Sequence, residues 1–159
     1  MECAFSWNLL QQKNWFYIWA SIFLVPNHTD QITILLAEDD IDDQELLEEV
    51  FQEINPSIHL FCFNTSEKFL KHVEQLSGDA IPEMIILDYN IPEANGAEIL
   101  KRLNKKENYQ PVVKLVWSTS DSALYEKNCF ELGAKAYIVK PSNISDFREM
   151  AKKMLSYID

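Results

Sequence analysis

Four short apolar runs in this chain stop on residues able to do chemistry. Ile32–Ala37 runs into Glu38-Asp39-Asp40, Met84–Leu87 into Asp88, Val112–Trp117 into Ser118-Thr119, and Ala136–Val139 into Lys140-Pro141. An acid that closes a continuously apolar run is costly to bury unless it is paired or metal-bound. Asp88 therefore reads either as a site carboxylate or as a turn aspartate capping the loop Tyr89-Asn90-Ile91-Pro92. If Glu38, Asp39 and Asp88 share a pocket they repel one another, and each resists ionising unless a cation compensates. A hard, oxygen-liganded cation such as Mg²⁺ suits carboxylates, a backbone carbonyl and waters. With the charge neutralised, an aspartate is free to act as a nucleophile and form an aspartyl-phosphate. The Ser118 hydroxyl and the Lys140 ammonium would supply donors to the phosphoryl oxygens.

Something must bring these ends together, and the pattern around them supplies it. Ile32–Ala37 is a strand rich in β-branched residues at its start. A helix over about 42–54 follows, with Leu46, Leu47, Val50, Phe51 and Ile54 on one face and Glu45, Glu48 and Glu49 off it. Asn55-Pro56 stops it. Ile58–Phe63 is a second strand. Asn64-Thr65-Ser66 offers caps for a helix that buries Phe69, Leu70, Val73 and Leu76 and ends near Ser77-Gly78. Met84–Asp88 reads as a strand buried on both faces, being apolar throughout rather than alternating. After Gly96 comes a helix with Ile99, Leu100 and Leu103 inward, and Lys101, Arg102, Lys105 and Lys106 suit its C-terminal end. Val112–Trp117 is a fourth strand, and a helix over about 122–132 stops at Gly133. Ala136–Val139 is a fifth, and a last helix capped within 143–145 buries Phe147, Met150, Ala151, Met154, Leu155 and Ile158.

Such alternation implies right-handed crossovers and an α/β, doubly wound, five-stranded parallel sheet of flavodoxin-like order 2-1-3-4-5. In that order the ends of strands one, three, four and five converge at the carboxyl edge, where ligands bind in open α/β sheets. No internal repeat or low-complexity tract interrupts the pattern. No second domain is expected after the last helix.

The bulk composition excludes some classes of partner. A chain of 159 residues suits one domain, and 47% hydrophobic with 25% charged residues is ordinary for a globular protein. A net charge of −11 argues against sequence-independent nucleic-acid binding and against an anionic membrane surface. Cys3, Cys62 and Cys129 are odd in number and lack metal-type spacing, which fits a reducing, cytoplasmic setting. His28, His59 and His72 are too scattered for a histidine metal site.

Residues 1–31 differ from the rest. They carry Glu2, Lys13 and Asp30 as their only charges, and Trp7, Trp15 and Trp19. The apolar stretch from Trp15 to Val25 is shorter than the roughly 20 residues a bilayer span needs. Three readings stand: a non-native or poorly ordered leader from an upstream start codon, an amphipathic interfacial or partner-docking helix, and a targeting segment.

The motifs Glu38-Asp39, Asp88-Tyr89-Asn90-Ile91-Pro92 with Gly96, Ser118-Thr119 and Lys140-Pro141 resemble those of the receiver domains of two-component response regulators. The resemblance covers residues 32–159, and five separated elements recur in the family's order at strand ends. Gly96 eight residues after Asp88, and Lys140 22 after Ser118, match the family's spacing. The resemblance implies a stand-alone receiver, not an enzyme, in which Asp88 takes a phosphoryl group from a sensor histidine kinase or phosphotransfer protein. It implies Mg²⁺ held by Glu38, Asp39, Asp88 and the backbone carbonyl of Asn90, with Asp39 binding directly and Glu38 largely through water. Ser118 would bond a phosphoryl oxygen. Lys140 would pair with the phosphate or, before phosphorylation, with Asp88. The Lys140–Pro141 peptide would be cis. Tyr137 would be a switch aromatic moving inward as Ser118 closes. The output would be binding of a downstream effector protein through the face built by strands four and five and their helices, with no direct nucleic-acid contact and no membrane span. Thr119 stands where many members carry a smaller residue, and Ala94-Asn95 also departs from the common pattern; neither removes an essential group.

Blander readings compete at several positions. Asp42 and Asp43 read as first-turn helix residues and Asp40 as a non-ligand. Lys140 alone could be a snorkelling surface lysine. Tyr137 is core or switch, and Cys62 and Cys129 are small buried hydrophobes. Two other functions share some of these residues. A phosphohydrolase would use Asp, Mg²⁺ and Lys but wants a second carboxyl where Asn90 stands. An adaptor would keep the fold without the switch. Trp117 adjoins Ser118 and should report on the site.

Overall fold

The computed structural model describes residues 31–158; the readings made for residues 1–30 lie outside them. Five parallel strands, β1 (Ile32–Ala37), β2 (Ile58–Phe63), β3 (Met84–Asp88), β4 (Val113–Ser118) and β5 (Ala136–Val139), form one sheet in the order β2-β1-β3-β4-β5. Helices α1 (Ile41–Ile54), α2 (Ser66–Gln75), α3 (Gly96–Leu103), α4 (Ala123–Glu131) and α5 (Ile144–Leu155) alternate with them. The doubly wound sheet expected from the sequence is therefore present. β4 begins and ends one residue later than its apolar run suggested, so Ser118 is the last residue of the strand rather than the first of the loop.

Strand alternation divides the core in two. Ile34, Leu36, Ile86, Leu115 and Trp117 face α1 and α5, meeting Leu47, Phe51, Phe147 and Met154. Leu35, Ile85, Leu87 and Val116 face the other way, onto Phe69 and Val73 of α2, Ile99 and Leu103 of α3, and Cys129 of α4. Every residue of β3 is buried, Asp88 included. Full burial of a Leu, Ile or Phe side chain contributes roughly 1.5–3 kcal/mol each, so β3 is the strand the sheet can least lose.

Side-chain caps fix four helix starts. Asp40 accepts from the amides of Asp42 and Asp43 at α1, Thr65 from Lys68 at α2, Asn95 from Glu98 at α3, and Asn143 from Asp146 at α5. Ser122 makes no such bond at α4, and Cys129 is the residue α4 buries. The other end of α4 is held: the Asn104 side-chain amide, just past α3, donates to the Leu132 carbonyl. Gly133 follows at φ +91°, where a side chain would run into Asn104.

The sheet's far end has its own buried cation. Lys114 is buried, and its Nζ donates to the carbonyls of Tyr109 at 2.6 Å and Val112 at 2.8 Å. The Tyr109 hydroxyl in turn donates to the Val73 carbonyl at 2.9 Å, tying this corner to α2.

Candidate functional site

The carboxylates converge as the strand order requires. β1 and β3 are neighbours, with Ala37 opposite Leu87, so Glu38 and Asp88 continue adjacent strands. Glu38, Asp39 and Asp88 each offer a carboxylate oxygen within 4.8 Å of the others. Glu38 and Asp88 are buried whereas Asp39 is exposed. Burial, only partly offset by the Lys140 hydrogen bond, pushes the Glu38 carboxyl up to about 7. Burial raises Asp88 too, against the Lys140 charge and the amides of Asn90 and Tyr89. Two buried acids held reluctant to ionise, with a third open to solvent, form a donor set that fits a hard divalent cation.

Lys140 and Ser118 reach the same end. β4 pairs with β5 so that Ser118 lies opposite Val139, and the Lys140 amide donates to the Ser118 carbonyl at 2.7 Å. Ser118 is fully buried, and its Oγ accepts from the Ser120 amide at 3.1 Å. The Tyr137 ring packs on the α2–α4 side of the core while its hydroxyl donates to the Ser120 carbonyl at 2.9 Å. Tyr137 is thus both a core aromatic and a neighbour of the Ser118 turn.

Two expectations need correction. The Lys140–Pro141 peptide is trans, with no cis bond among the described residues; trans is the isomer an X–Pro bond favours by about 0.5–1 kcal/mol. Lys140 does not pair with Asp88. Its Nζ lies 2.6 Å from Glu38 Oε2 and 2.8 Å from Asp43 Oδ2. Burial works against the ammonium, but the hydrogen bonds to Asp43 and Glu38, together with the charges of Glu38 and Asp88, outweigh it and hold its pKa above the usual lysine value. The sequence pattern marks Asp43 as a first-turn residue only. It is that, and it also completes the lysine's shell.

The loop after Asp88 is tightly fitted. Gly96 donates its amide to the Tyr89 carbonyl, and a Cβ at Gly96 would lie 2.8 Å from the Asp88 carbonyl oxygen. No larger residue fits under that backbone. Glu93, at φ +76°, turns its carboxylate onto the start of α2 and accepts from the Glu67 amide at 2.9 Å. No residue pattern around Glu93 points to this bond. Tyr89 stacks on Tyr125 of α4 with centroids 4.4 Å apart.

A parallel five-stranded α/β fold carrying this arrangement of acids, hydroxyl and lysine at its carboxyl edge defines a class of signalling domain. The family model of the response regulator receiver domain matches residues 34–152, and the chain belongs to that family. A similar protein is the probable methanogenesis regulatory protein FilR2 of Methanothrix harundinacea. It is 25% identical over 132 residues, covering 80% of this chain and 84% of FilR2. The protein-glutamate methylesterase/protein-glutamine glutaminase of Treponema denticola is 32% identical over 124 residues, but these span 72% of this chain and only 32% of that longer enzyme. Among solved structures, the Mn²⁺-bound form of response regulator Rcp1 superposes with a TM-score of 0.70 at 25% identity, covering 79% of this chain and 93% of Rcp1. Phosphorylation and Mg²⁺ are standard for receiver domains of two-component systems, which are typically signalling modules rather than enzymes.

Proposed function

We propose that residues 32–159 act as a phosphorylation-switched binding module, with Asp88 as phosphoacceptor. The observation that carries this reading is the meeting of Glu38, Asp39 and Asp88 at one strand edge with Lys140 alongside. An Asp88 oxygen attacks the phosphorus of a phosphohistidine on a sensor histidine kinase or phosphotransfer protein. The P–N bond breaks, and the imidazole leaves with the electron pair. Mg²⁺, held by Glu38, Asp39, Asp88 and the Asn90 carbonyl, would neutralise charge on the carboxylates and on the phosphoryl group. Ser118 donates its hydroxyl to one phosphoryl oxygen, and Lys140 moves to another.

The switch follows from what Ser118 touches. Its Oγ supports the Ser120 amide, and the Ser120 carbonyl receives the Tyr137 hydroxyl. A Ser118 drawn toward a phosphoryl group rearranges this turn, and the equilibrium of the β4–α4–β5–α5 face shifts toward the form an effector protein binds. A phosphohydrolase is disfavoured by Asn90, which offers no carboxyl for acid–base turnover. Among the described residues no helix is long and apolar enough to cross a membrane, and Cys62 and Cys129 are free thiols; a cytoplasmic place belongs to the proposal. Incubation with Mg²⁺ and a small acyl phosphate should add one phosphoryl mass that Asp88→Asn does not acquire. The same labile label on Asp88→Asn would sink the assignment.

A further inference from the structure

We propose that Asp43 is a positioning residue for Lys140, holding the ammonium on the α1 side of the pocket and opposing its transfer to a phosphoryl group. The inference rests on Asp88 being the phosphoacceptor. It is carried by what each partner of the lysine is otherwise doing. Glu38 has other work: its Oε1 accepts from the Asp40 amide at 3.1 Å, and it belongs to the carboxylate trio. Among the described residues, the Asp43 carboxylate has Lys140 as its sole partner. Asp43 also sits on a helical turn whose start is fixed, because Asp40 caps Asp43's own amide. The carboxylate is therefore delivered by helix geometry rather than by a loop.

The contact is sheltered. The Lys140 side chain is 9% exposed and that of Asp43 28%, so water screens it less than a surface pair. The Trp117 ring lies under the ammonium at 4.5 Å and adds to the same resting place. Lys140 thus has a three-sided seat of Glu38, Asp43 and Trp117, and Asp88 is not part of it. A phosphoryl group on Asp88 brings more negative charge than Asp43 and draws the lysine over, but whatever Asp43 contributes to the seat is subtracted from that attraction. Asp43 accordingly biases the domain toward its unphosphorylated arrangement.

The test compares wild type, Asp43→Asn and Asp43→Glu. Asparagine removes the charge at nearly constant shape, and glutamate restores it. Two quantities are read: the Lys140 side-chain NMR resonances without any phosphoryl donor, and the beryllofluoride concentration for half-saturation in the presence of Mg²⁺. Asp43→Asn should shift the Lys140 resonances and lower the half-saturating concentration roughly two- to fivefold, the range for loss of one partly screened ion pair. Asp43→Glu should return both toward wild type, which a general weakening of α1 would not do. Unmoved resonances, or an unchanged half-saturation in Asp43→Asn, overturn the proposal while wild type still labels on Asp88 with acyl phosphate. A wild type that neither labels nor binds beryllofluoride overturns the phosphoacceptor reading instead, and the opposition by Asp43 with it.

Discussion

The Lys140 ammonium stands 4.5 Å above the centroid of the Trp117 ring. Alternation along β4 sends Trp117 into the α1–α5 core, where it meets Phe147 edge-on at 5.6 Å, and sends Ser118 to the opposite face. Trp117 therefore senses the site through Lys140 and not through its sequence neighbour. Its Nε1 has no hydrogen-bond partner, which leaves the ring's emission governed by packing and by that cation.

Movement of Lys140 should change Trp117 emission. Adding Mg²⁺ and acyl phosphate is expected to alter the difference spectrum between wild type and Trp117→Phe, which removes the signal of tryptophans elsewhere in the chain. In Lys140→Met the response should vanish. A response of equal size in Lys140→Met would show that the ring reads something other than the lysine.

Glu38 makes stability depend on pH. Its carboxyl titrates at about 7 in the folded protein against 4.5 unexposed to the fold's influence. The folded state thus binds the proton more tightly. This contribution is complete below pH 4.5, fades as pH rises through 7, and amounts to at most roughly 3 kcal/mol at about 1.4 kcal/mol per pH unit. Urea midpoints taken in EDTA should fall between pH 5 and pH 8 more steeply for wild type than for Glu38→Gln. Mg²⁺ should restore stability at pH 8 more than at pH 5, because it prefers the ionised carboxylate.

Gly96→Ala should damage both fold and site. The added Cβ would sit 2.8 Å from the Asp88 carbonyl oxygen and 3.2 Å from Tyr89 Cα, both backbone atoms that cannot swing aside. Overpacking of this kind costs about 1–3 kcal/mol. Denaturant titration should show that loss, and Asp88 should label more slowly even where the variant is fully folded. Unchanged labelling would mean that the loop tolerates displacement.

Lys114→Met should destabilise the domain without touching phosphorylation chemistry. It strands the carbonyls of Tyr109 and Val112, which now receive the ammonium at 2.6 and 2.8 Å. Loss of hydrogen bonds to a charged donor costs roughly 1.5–3 kcal/mol, partly offset by relieving a buried charge. A variant as stable as wild type would show that the carbonyls find other donors.

The sequence made most of the fold legible because periodicity and strand-end chemistry agreed. The bounds of β1, β2, β3 and β5 follow directly from their apolar runs. The acidic trio followed from topology, since the strand order alone brings Glu38 beside Asp88. Pairings across the pocket were harder to read. Lys140 and Asp43 lie 97 residues apart, and nothing local distinguishes Asp43 from Asp42 as a first-turn acid. Lys114 sits in a strand pattern as a polar interruption, and its burial depends on carbonyls freed by the turn before β4. Glu93 caps a helix 26 residues upstream through a left-handed backbone that no composition rule assigns to glutamate.

The bond from Asn104 to the Leu132 carbonyl makes α4 a lever with its pivot at one end. The C-terminal end is pinned to α3 over Gly133, while the N-terminal end begins at an uncapped Ser122 only four residues beyond Ser118. Any rotation about the pin moves Leu124 and Tyr125 through a wider arc than Glu131. A small displacement beside Ser118 is delivered to the helix at the end far from the pin, where the stacking of Tyr125 on Tyr89 is the contact it must shift.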